Sequence, residues 1–248
     1  MFGLFSKKSS SKGDKFDFSV LKTDMHSHIL PGIDDGSDSI ETSLELIRGM
    51  KALGYTKLIA TPHVMWDMYR NTTQIINEKL RLVREAVKKE GIDIELGAAA
   101  EYFLDEHVED MLKQKQPLLT ISENKVLVEF SMAFPALNIK DILFEMQMQG
   151  YQPVIAHPER SIYLQQNKEF YDELRDTGCI FQLNILALGG HYGKSVSELA
   201  QYLLKNNFYS LAGTDLHHEG HLEGLNSTRL AAALSKGIDW SKFTNNEL

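Results

Sequence analysis

Residues 22–63 read KTDMHSHILPGIDDGSDSIETSLELIRGMKALGYTKLIATPH. The run 22–26 predicts a strand, residues 39–53 have the apolar spacing of a helix, and residues 58–63 predict a second strand. Gly54 follows the helix, as expected where the turn to the next strand needs a positive φ. Short apolar strands that alternate with helices are typical of a parallel sheet covered by helices, so this stretch predicts an α/β fold.

The same unit recurs along the chain. Further strands are predicted to end at positions 101, 129, 157, 184 and 215, so successive strand ends lie 27 to 38 residues apart. Seven such units predict a closed (β/α) barrel, with an open doubly wound sheet as the alternative. The clearest helix spans 71–90, with Asn71 as its cap and Gly91 after its end. The other helices are predicted at 104–115, 138–149, 166–177, 195–206 and 227–236.

Composition sets apart the two ends of the chain. We expect residues 1–16 to form a flexible tail, 17–238 a single domain and 239–248 a loosely held end. Four lysines against one aspartate give the tail a charge of +3, which leaves −11 on the rest. That charge disfavours a nucleic-acid-coating protein, because it would repel a phosphate backbone. No apolar run is long enough for stable membrane insertion, and a single cysteine agrees with a reducing compartment, so a cytoplasmic location is expected.

Six of the seven predicted strands end in residues of the kinds that bind metals. In a parallel barrel the carboxyl ends of the strands meet at one face, where active sites form. Residues two apart on a strand share a face, so His26 and His28 can converge on one ion, as can Asp215 and His217. Mixed imidazole and carboxylate ligands suit Mn, Fe or Zn rather than Ca or Mg. The candidate ligands are His26, His28, His63, Glu101, Glu129, His157, Asp215 and His217.

The motifs around these residues carry a family resemblance. Residues 24–36, DMHSHILPGIDDG, together with HPER at 157–160 and GTDLH at 213–217, resemble the PHP (polymerase and histidinol phosphatase) superfamily. Within it they look most like the metal-dependent protein-tyrosine phosphatases of bacterial capsule and exopolysaccharide systems. The resemblance covers about residues 20–230 and implies a distorted (β/α)7 TIM-like barrel, the PHP fold.

The resemblance further implies a site of three divalent ions, with Mn²⁺ expected and Fe or Zn as alternatives. Such a cluster acidifies a bridging water, whose hydroxide would attack the phosphorus without a covalent intermediate. Asp34 is the alternative to Asp35 in the third ligand set, since both follow the H-x-H motif. The three sets implied are His26, His28, Glu101 and Asp215; Glu101, Glu129 and His157; and Asp35, His63 and His217.

Catalytic roles are implied for Arg160, Asp35 and His217. Arg160 would grip a phosphate oxygen with its forked guanidinium, the alternative being a surface salt bridge with Glu159. The family often carries a second arginine shortly after the D-x-H of the last strand, and this chain lacks it. His218 and His221 are the candidate substitutes, although a solvated loop histidine is an equal interpretation.

Other functions remain open at this point. The alternatives are a small-molecule phosphatase of the same superfamily, such as one for histidinol phosphate, a hydrolase of C–N bonds, and a non-catalytic metal-binding module. The C–N hydrolases usually carry a barrel lysine ligand, and no lysine stands at a predicted strand end. A cysteine-dependent tyrosine phosphatase is disfavoured because Ile185, not arginine, stands six residues after Cys179.

The substrate side follows from the resemblance alone. It implies a phosphotyrosine-containing protein, namely the Tyr-rich tail of a membrane-associated bacterial tyrosine autokinase, and it leaves an oligomer open. Aromatic residues near the ligands would either shape an entry for a phenyl ring or pack in the ordinary way. These aromatic residues are Trp66, Tyr69, Tyr102, Phe103, Phe130 and Phe134.

Overall fold

The computed structural model describes residues 15–133 and 138–248, in which helices follow strands in regular alternation. Each predicted strand and helix of the central region is present within that part, with boundaries shifted by at most two residues. The strands are β1 (Thr23–Ser27), β2 (Lys57–Ala60), β3 (His63–Val64), β4 (Glu95–Ala98), β5 (Glu101–Phe103), β6 (Lys125–Glu129), β7 (Gln152–Ile155), β8 (Ile180–Asn184) and β9 (Tyr209–Gly213). The helices are α1 (Ile40–Ala52), α2 (Thr73–Lys89), α3 (Glu106–Lys113), α4 (Ile139–Met148), α5 (Lys168–Asp176), α6 (Ile185–Leu188), α7 (Lys194–Lys205), α8 (Glu219–Leu225) and α9 (Thr228–Leu234).

The strands form two parallel sheets. One has the order β1-β2-β4, and the other has the order β3-β5-β6-β7-β8-β9. Two predicted strands are therefore each divided, one into β2 and β3 and the other into β4 and β5. Backbone pairing crosses both breaks, since the Ala99 amide donates to the Ala60 carbonyl and the Glu101 amide donates to that of Pro62. The α/β class and the parallel pairing that the sequence predicted are confirmed.

The first strand also meets the chain segment that follows the last one. Ser27 pairs with Leu216 in a parallel bridge. The Asp215 amide donates to the His26 carbonyl at 2.9 Å, and the His28 amide donates to the Leu216 carbonyl at 2.8 Å. These bonds bring the H-x-H motif of β1 beside the D-x-H motif after β9, although 187 residues separate Asp215 from His28 in the sequence.

Helix α2 shows how the amphipathic pattern becomes packing. Its apolar residues at steps of three and four are buried, as predicted from their spacing. Asn71 was expected to cap this helix, and this prediction is wrong. Thr72 caps it by accepting a hydrogen bond from the Ile75 amide, while the buried Asn71 amide donates to the carbonyls of Ile33 and His63. Two backbone acceptors satisfy both N–H donors of the Asn71 side chain, and the cap position is taken by Thr72.

The two chain ends differ from the expectation in what they contact. Residues 1–14 of the predicted tail lie outside the described residues, and Phe16 packs against Phe18 and Trp240 with ring centroids 5.0 and 5.3 Å apart. Residues 239–248 include side chains that contact the domain. Phe243 is buried, and the side chain of Asn245 bonds the backbone of Thr23 and Ala212, because its amide can supply both a donor and an acceptor to strand ends.

Among the described helices none has the length and apolar content needed to cross a bilayer. Two short helices, α6 and α8, were not predicted, since four and seven residues are too few for a periodic pattern to stand out.

Candidate metal centre

All the predicted ligands lie together at the carboxyl ends of the strands. His26 lies near the end of β1, and His28 follows it. His63 is the first residue of β3, Glu101 is the first residue of β5, and Glu129 is the last residue of β6. The remaining residues follow β1, β7 and β9, and they are Asp35, His157, Asp215 and His217. Most are buried, while Asp35 exposes half of its side chain. Four overlapping groups of these side chains have potential ligand atoms that all lie within 4.8 Å of one another. The groups are His28, Asp35, His63 and His217; His26, His28 and Glu101; His26, His157 and Asp215; and His63, Glu101 and Glu129.

The imidazoles of His26 and His28 lie close to the carboxylates of Glu101 and Asp215. The Nε2 atoms of His26 and His28 are 3.2 Å apart. Each lies 3.3 or 3.4 Å from Oε2 of Glu101 and from Oδ1 of Asp215. Ligands at about 2.1 Å from a tetrahedral ion would stand about 3.4 Å from one another. The two imidazole nitrogens therefore have the spacing of ligands to one divalent ion, both to each other and to each of the two carboxylate oxygens.

The carboxylate of Glu101 also faces His157, which in turn lies near Glu129. Its Oε2 faces the two histidines of β1, while its Oε1 lies 3.0 Å from Nε2 of His157. The same His157 nitrogen is 3.7 Å from Oε1 of Glu129. Because its two oxygens point into different groups, Glu101 has the geometry of a bridging carboxylate.

Asp35 and Asp34 point in different directions. Oδ1 of Asp35 lies 3.5 Å from Nε2 of His63 and 3.5 Å from Nε2 of His217. Asp34 points the other way, where Oδ2 lies 2.8 Å from Nδ1 of His28 and accepts the His63 amide. Asp34 thus orients a histidine from behind, and Asp35 joins the cluster.

Two buried atoms support a cation here. Nδ1 of His63 and Oε2 of Glu101 have no hydrogen-bond partner in the described part of the chain, and they lie 3.1 Å apart. Buried polar atoms left without partners are costly, and they often mark an ion. A set of imidazole nitrogens and carboxylate oxygens around such atoms fits a divalent transition metal.

His26, His28 and His217 are each held by a partner at Nδ1, which leaves Nε2 free. Oε1 of Gln182 lies 3.0 Å from Nδ1 of His26 and accepts the His157 amide. The carbonyl of Asp215 lies 2.9 Å from Nδ1 of His217. Such partners fix the tautomer and the ring plane of a metal ligand. His157 and Asp215 also have φ values of 27° and 54°, a strained conformation for residues other than glycine that clusters at functional sites.

The acidic side chains of the centre are close enough to their charged neighbours for their pKa values to shift. Burial and the neighbouring carboxylate of Glu101 raise the pKa of Glu129 to about 8. Burial also favours neutral Glu101, but His26 and His63 lower its pKa well below the usual value. The hydrogen bond with His217 lowers the pKa of Asp35 to about 2. Ionised carboxylates this close together need positive charge between them.

Arg160 belongs to the centre and not to the surface. Its guanidinium donates to Oδ2 of Asp215 at 2.6 Å and lies 4.5 Å above the ring of Tyr192. The interpretation as a salt bridge with Glu159 is wrong. Glu159 is fully buried and accepts the Asn184 amide and the Tyr209 hydroxyl, because it points into the sheet while Arg160 points into the cavity.

A cavity of about 330 Å³ opens over the centre. His218 and His221, the candidate substitutes for a second arginine, both line it, and Arg229 is not among the lining residues. Burial lowers the pKa of His221 to about 4, so His221 is neutral at pH 7. The other lining residues are Asp35, His63, Met65, Met68, Tyr69, Glu129, Met132, His157, Arg160, Tyr192, Asp215 and His217.

The predicted aromatic entry is present only in part. Tyr69 lines the cavity, Trp66 stacks on His107 at 3.7 Å, and Tyr102 and Phe130 are buried in the core. Phe134 lies outside the described residues. Sequence reasoning missed Tyr192, Met68 and Met132. Tyr192 stands in the sequence GGHYG, whose glycines signal a loop able to approach a site, whereas no pattern distinguishes the two methionines.

Comparison with known proteins gives a consistent set of relatives. Residues 22–228 match the family model for capsular polysaccharide synthesis, CpsB/CapC. The chain is 30% identical over 196 residues to tyrosine-protein phosphatase YwqE of Bacillus subtilis, covering 79% of this chain and 77% of that protein. It is 31% identical over 201 residues to tyrosine-protein phosphatase CpsB of Streptococcus pneumoniae, covering 79% and 82%.

A solved structure matches the fold closely. It comes from crystal structures of YwqE from Bacillus subtilis and CpsB from Streptococcus pneumoniae, described as unique metal-dependent tyrosine phosphatases. The TM-score is 0.78 at 28% identity, and the match covers 88% of this chain and 89% of that chain.

Proposed function

This chain belongs to the CpsB/CapC family of capsular polysaccharide synthesis proteins, and we propose that it hydrolyses phosphotyrosine in proteins with the help of bound metal ions. It is a metal-dependent protein-tyrosine phosphatase of the capsule type. The observation that carries the activity is the placement of His26 and His28, whose Nε2 atoms lie 3.2 Å apart and 3.3 or 3.4 Å from carboxylate oxygens of Glu101 and Asp215.

The finer assignment of the ligands is part of the proposal. Three ions occupy the site, and manganese is the metal that the mixed donor set suits, with Fe or Zn as alternatives. The separate directions of the two Glu101 oxygens and the approach of Asp35 to His63 and His217 support this number. The ligand sets are His26, His28, Glu101 and Asp215; Glu101, Glu129 and His157; and Asp35, His63 and His217.

The residues of the centre have separate roles in hydrolysis. Bound divalent ions supply Lewis acidity toward phosphate oxygens and lower the pKa of water. Arg160 binds a non-bridging phosphate oxygen with the guanidinium nitrogen that Asp215 leaves free, and the Tyr192 ring beneath it keeps the fork in plane. Gln182 and Asp34 hold the histidine rings, so the site is ordered before substrate arrives.

His217 and Asp35 face the cavity into which the phenolate departs. Both line the cavity, and Asp35 is the half-exposed member of the cluster. Neutral His221, whose Nδ1 accepts the His217 amide, lines the same cavity and is the uncharged substitute that we infer for the family's second arginine. The leaving group therefore departs past a neutral side chain, while the phosphate meets Arg160.

The arrangement of strands supports a closed barrel. Counting β2 with β3 and β4 with β5 gives seven strands, and the Ser27–Leu216 bridge joins the first to the end of the last. We infer a distorted (β/α)7 TIM-like barrel, the PHP fold, with the metal centre at its carboxyl face. The partner we infer is the phosphorylated tyrosine tail of a membrane-associated bacterial autokinase, acted on in the cytoplasm.

Parallel assays test the function against its main alternative. The metal-loaded protein is given a phosphotyrosyl peptide and histidinol phosphate at equal concentrations, and released phosphate is measured beside elemental analysis of the same sample. We expect preference for the peptide and a metal content near three ions per chain. A preference for histidinol phosphate would make this a small-molecule phosphatase.

The variant Glu101→Gln tests the assignment of Glu101 as a shared ligand. It keeps the size of the side chain and removes the charge that two ion positions share. We expect loss of activity, a fall in bound metal by at least one ion, and an unchanged circular dichroism spectrum. Full activity in this variant would contradict the shared-carboxylate assignment.

A further inference from the structure

We propose that Met68 and Met132 form the sides of a slot that holds the aromatic ring of an aryl phosphate. This inference rests on the proposed phosphatase function and deepens it, because it assigns the part of the substrate that departs as the phenol. The ligand class is an aryl ester of phosphate, as opposed to an alkyl ester.

The cavity over the metal centre has a polar floor and partly apolar walls. The floor consists of the ligands and Arg160, whereas Met65, Met68, Tyr69, Met132 and Tyr192 contribute side chains to the walls. A phosphate bound at the floor therefore directs its ester group between these walls. Met68 lies between β3 and α2, and Met132 follows β6, so the two methionines reach the cavity from different loops.

The exposure of the two methionines is the second observation. Met68 is 66% exposed and Met132 is 41% exposed, and they are among only six large apolar side chains exposed in the described part of the chain. Single exposed apolar residues are common on proteins. Two of them lining a cavity whose other members are mostly ionisable indicate an apolar part of the ligand.

The loop that carries Met68 is held firmly against the centre. The amide of Met65 donates to the Tyr69 carbonyl at 3.2 Å, and the Tyr69 amide donates back at 2.7 Å. The Met68 amide also donates to the Met65 carbonyl at 3.0 Å. The Tyr69 ring stacks on the His63 imidazole with centroids 5.6 Å apart, which fixes the loop relative to a predicted ligand.

Methionine suits this role for a chemical reason. Its thioether is polarizable and makes favourable contacts at the edge of an aromatic ring, and its three rotatable bonds let it close on rings in slightly different positions. An alkyl group such as the serine side chain has no ring for these contacts. The slot therefore selects phosphotyrosine over phosphoserine.

Binding of two phosphonates tests the slot without relying on turnover. Phenylphosphonate and methylphosphonate share the charged head, and neither has an ester bond to hydrolyse. Titration calorimetry on the manganese-loaded protein should give a preference for phenylphosphonate of about tenfold. In the double variant Met68→Gln/Met132→Gln we expect that preference to fall to about twofold or less, with methylphosphonate affinity unchanged.

A matched control is available at Met148, which is 68% exposed on α4 and does not line the cavity. Met148→Gln should keep the full preference. An unchanged preference in the double variant would overturn the slot, as would an equal loss of both phosphonates, which would mean damage to the floor.

Hydrolysis of a phosphotyrosyl peptide by the unmodified protein separates this inference from the proposed function. Hydrolysis without a phenyl preference overturns the slot and leaves the phosphatase function standing. A methionine-dependent phenyl preference without hydrolysis supports the slot and overturns the phosphatase function.

Discussion

Arg160 donates to Oδ2 of Asp215 at 2.6 Å, while Oδ1 of the same carboxylate lies 3.3 Å from Nε2 of His26. One buried aspartate thus joins the cation that faces the phosphate to the histidine cage beneath it. Asp215 is positioned by its own strained backbone, with a φ of 54°, and by the bond from its amide to the His26 carbonyl. The position of the phosphate relative to the ions therefore depends on this pair.

Arg160→Lys tests that dependence. Lysine keeps the charge but cannot bond Asp215 and a phosphate oxygen with a rigid fork, so kcat/KM for a phosphotyrosyl peptide should fall by about tenfold to a hundredfold. Metal content should stay the same. Steady-state kinetics and elemental analysis give the two readings, and Arg175→Lys, at a surface pair with Asp172, serves as control. Unchanged kinetics in Arg160→Lys would remove Arg160 from substrate binding.

Asp34→Asn should weaken metal binding although Asp34 is not a proposed ligand. Its carboxylate lies 2.8 Å from Nδ1 of His28 and accepts the His63 amide, and loss of such a partner typically lowers metal affinity by about tenfold to a hundredfold. Competition with a chelating dye measures the affinity. Exposed Asp67→Asn is the control and should bind as the unmodified protein does. Equal affinities in the two variants would contradict the orienting role.

Gly213→Ala should disturb the centre through the backbone. A methyl group there would lie 2.6 Å from Cβ of His26 and 2.9 Å from Nε2 of Gln182. We expect the free energy of unfolding to fall by about 1–3 kcal/mol and metal affinity to fall with it. Gly97→Ala is the matched variant, because its methyl meets only Ile59 at 3.7 Å. Urea unfolding should leave Gly97→Ala within experimental error of the parent, and a similar loss in both would argue against the close approach.

Metal chelation and thiol alkylation should have opposite effects on activity. Cys179 is buried, and burial raises the pKa of its thiol, so little reactive thiolate forms near pH 8. We expect EDTA to abolish phosphatase activity, added Mn²⁺ to restore it, and iodoacetamide to leave it intact. Mass spectrometry of the alkylated sample reports whether Cys179 reacted. Activity that resists EDTA and is lost on alkylation would require a cysteine mechanism.

Asn245→Ala should destabilise the domain from its C-terminal end. The side chain is fully buried and bonds the Thr23 carbonyl and both backbone groups of Ala212. Leaving these groups without partners should cost about 3 kcal/mol in the free energy of unfolding. Thermal and urea unfolding measure the loss, and exposed Asn246→Ala should behave as the parent protein. Equal stability of the two variants would return the C-terminal residues to the loosely held end expected from their composition.

Local sequence was sufficient for most of the strands and helices. The apolar spacing of α2 and the glycines after the helices depend on interactions within a few residues, which the sequence displays directly. Residues 239–248 show the limit of this reasoning. They are polar and look loose, but Asn245 finds backbone groups of β1 and β9 that are more than 30 residues away.

The sequence by itself determined which residue types stand at the strand ends, and so predicted a metal site at one face of an α/β domain. Only the tertiary structure decided which of those residues face one another. It turned Asp35 toward His63 and Asp34 toward His28, and it set Arg160 against Asp215. The physical reason is that a side chain's direction depends on partners brought from distant strands, whereas strand periodicity depends on neighbours along the chain.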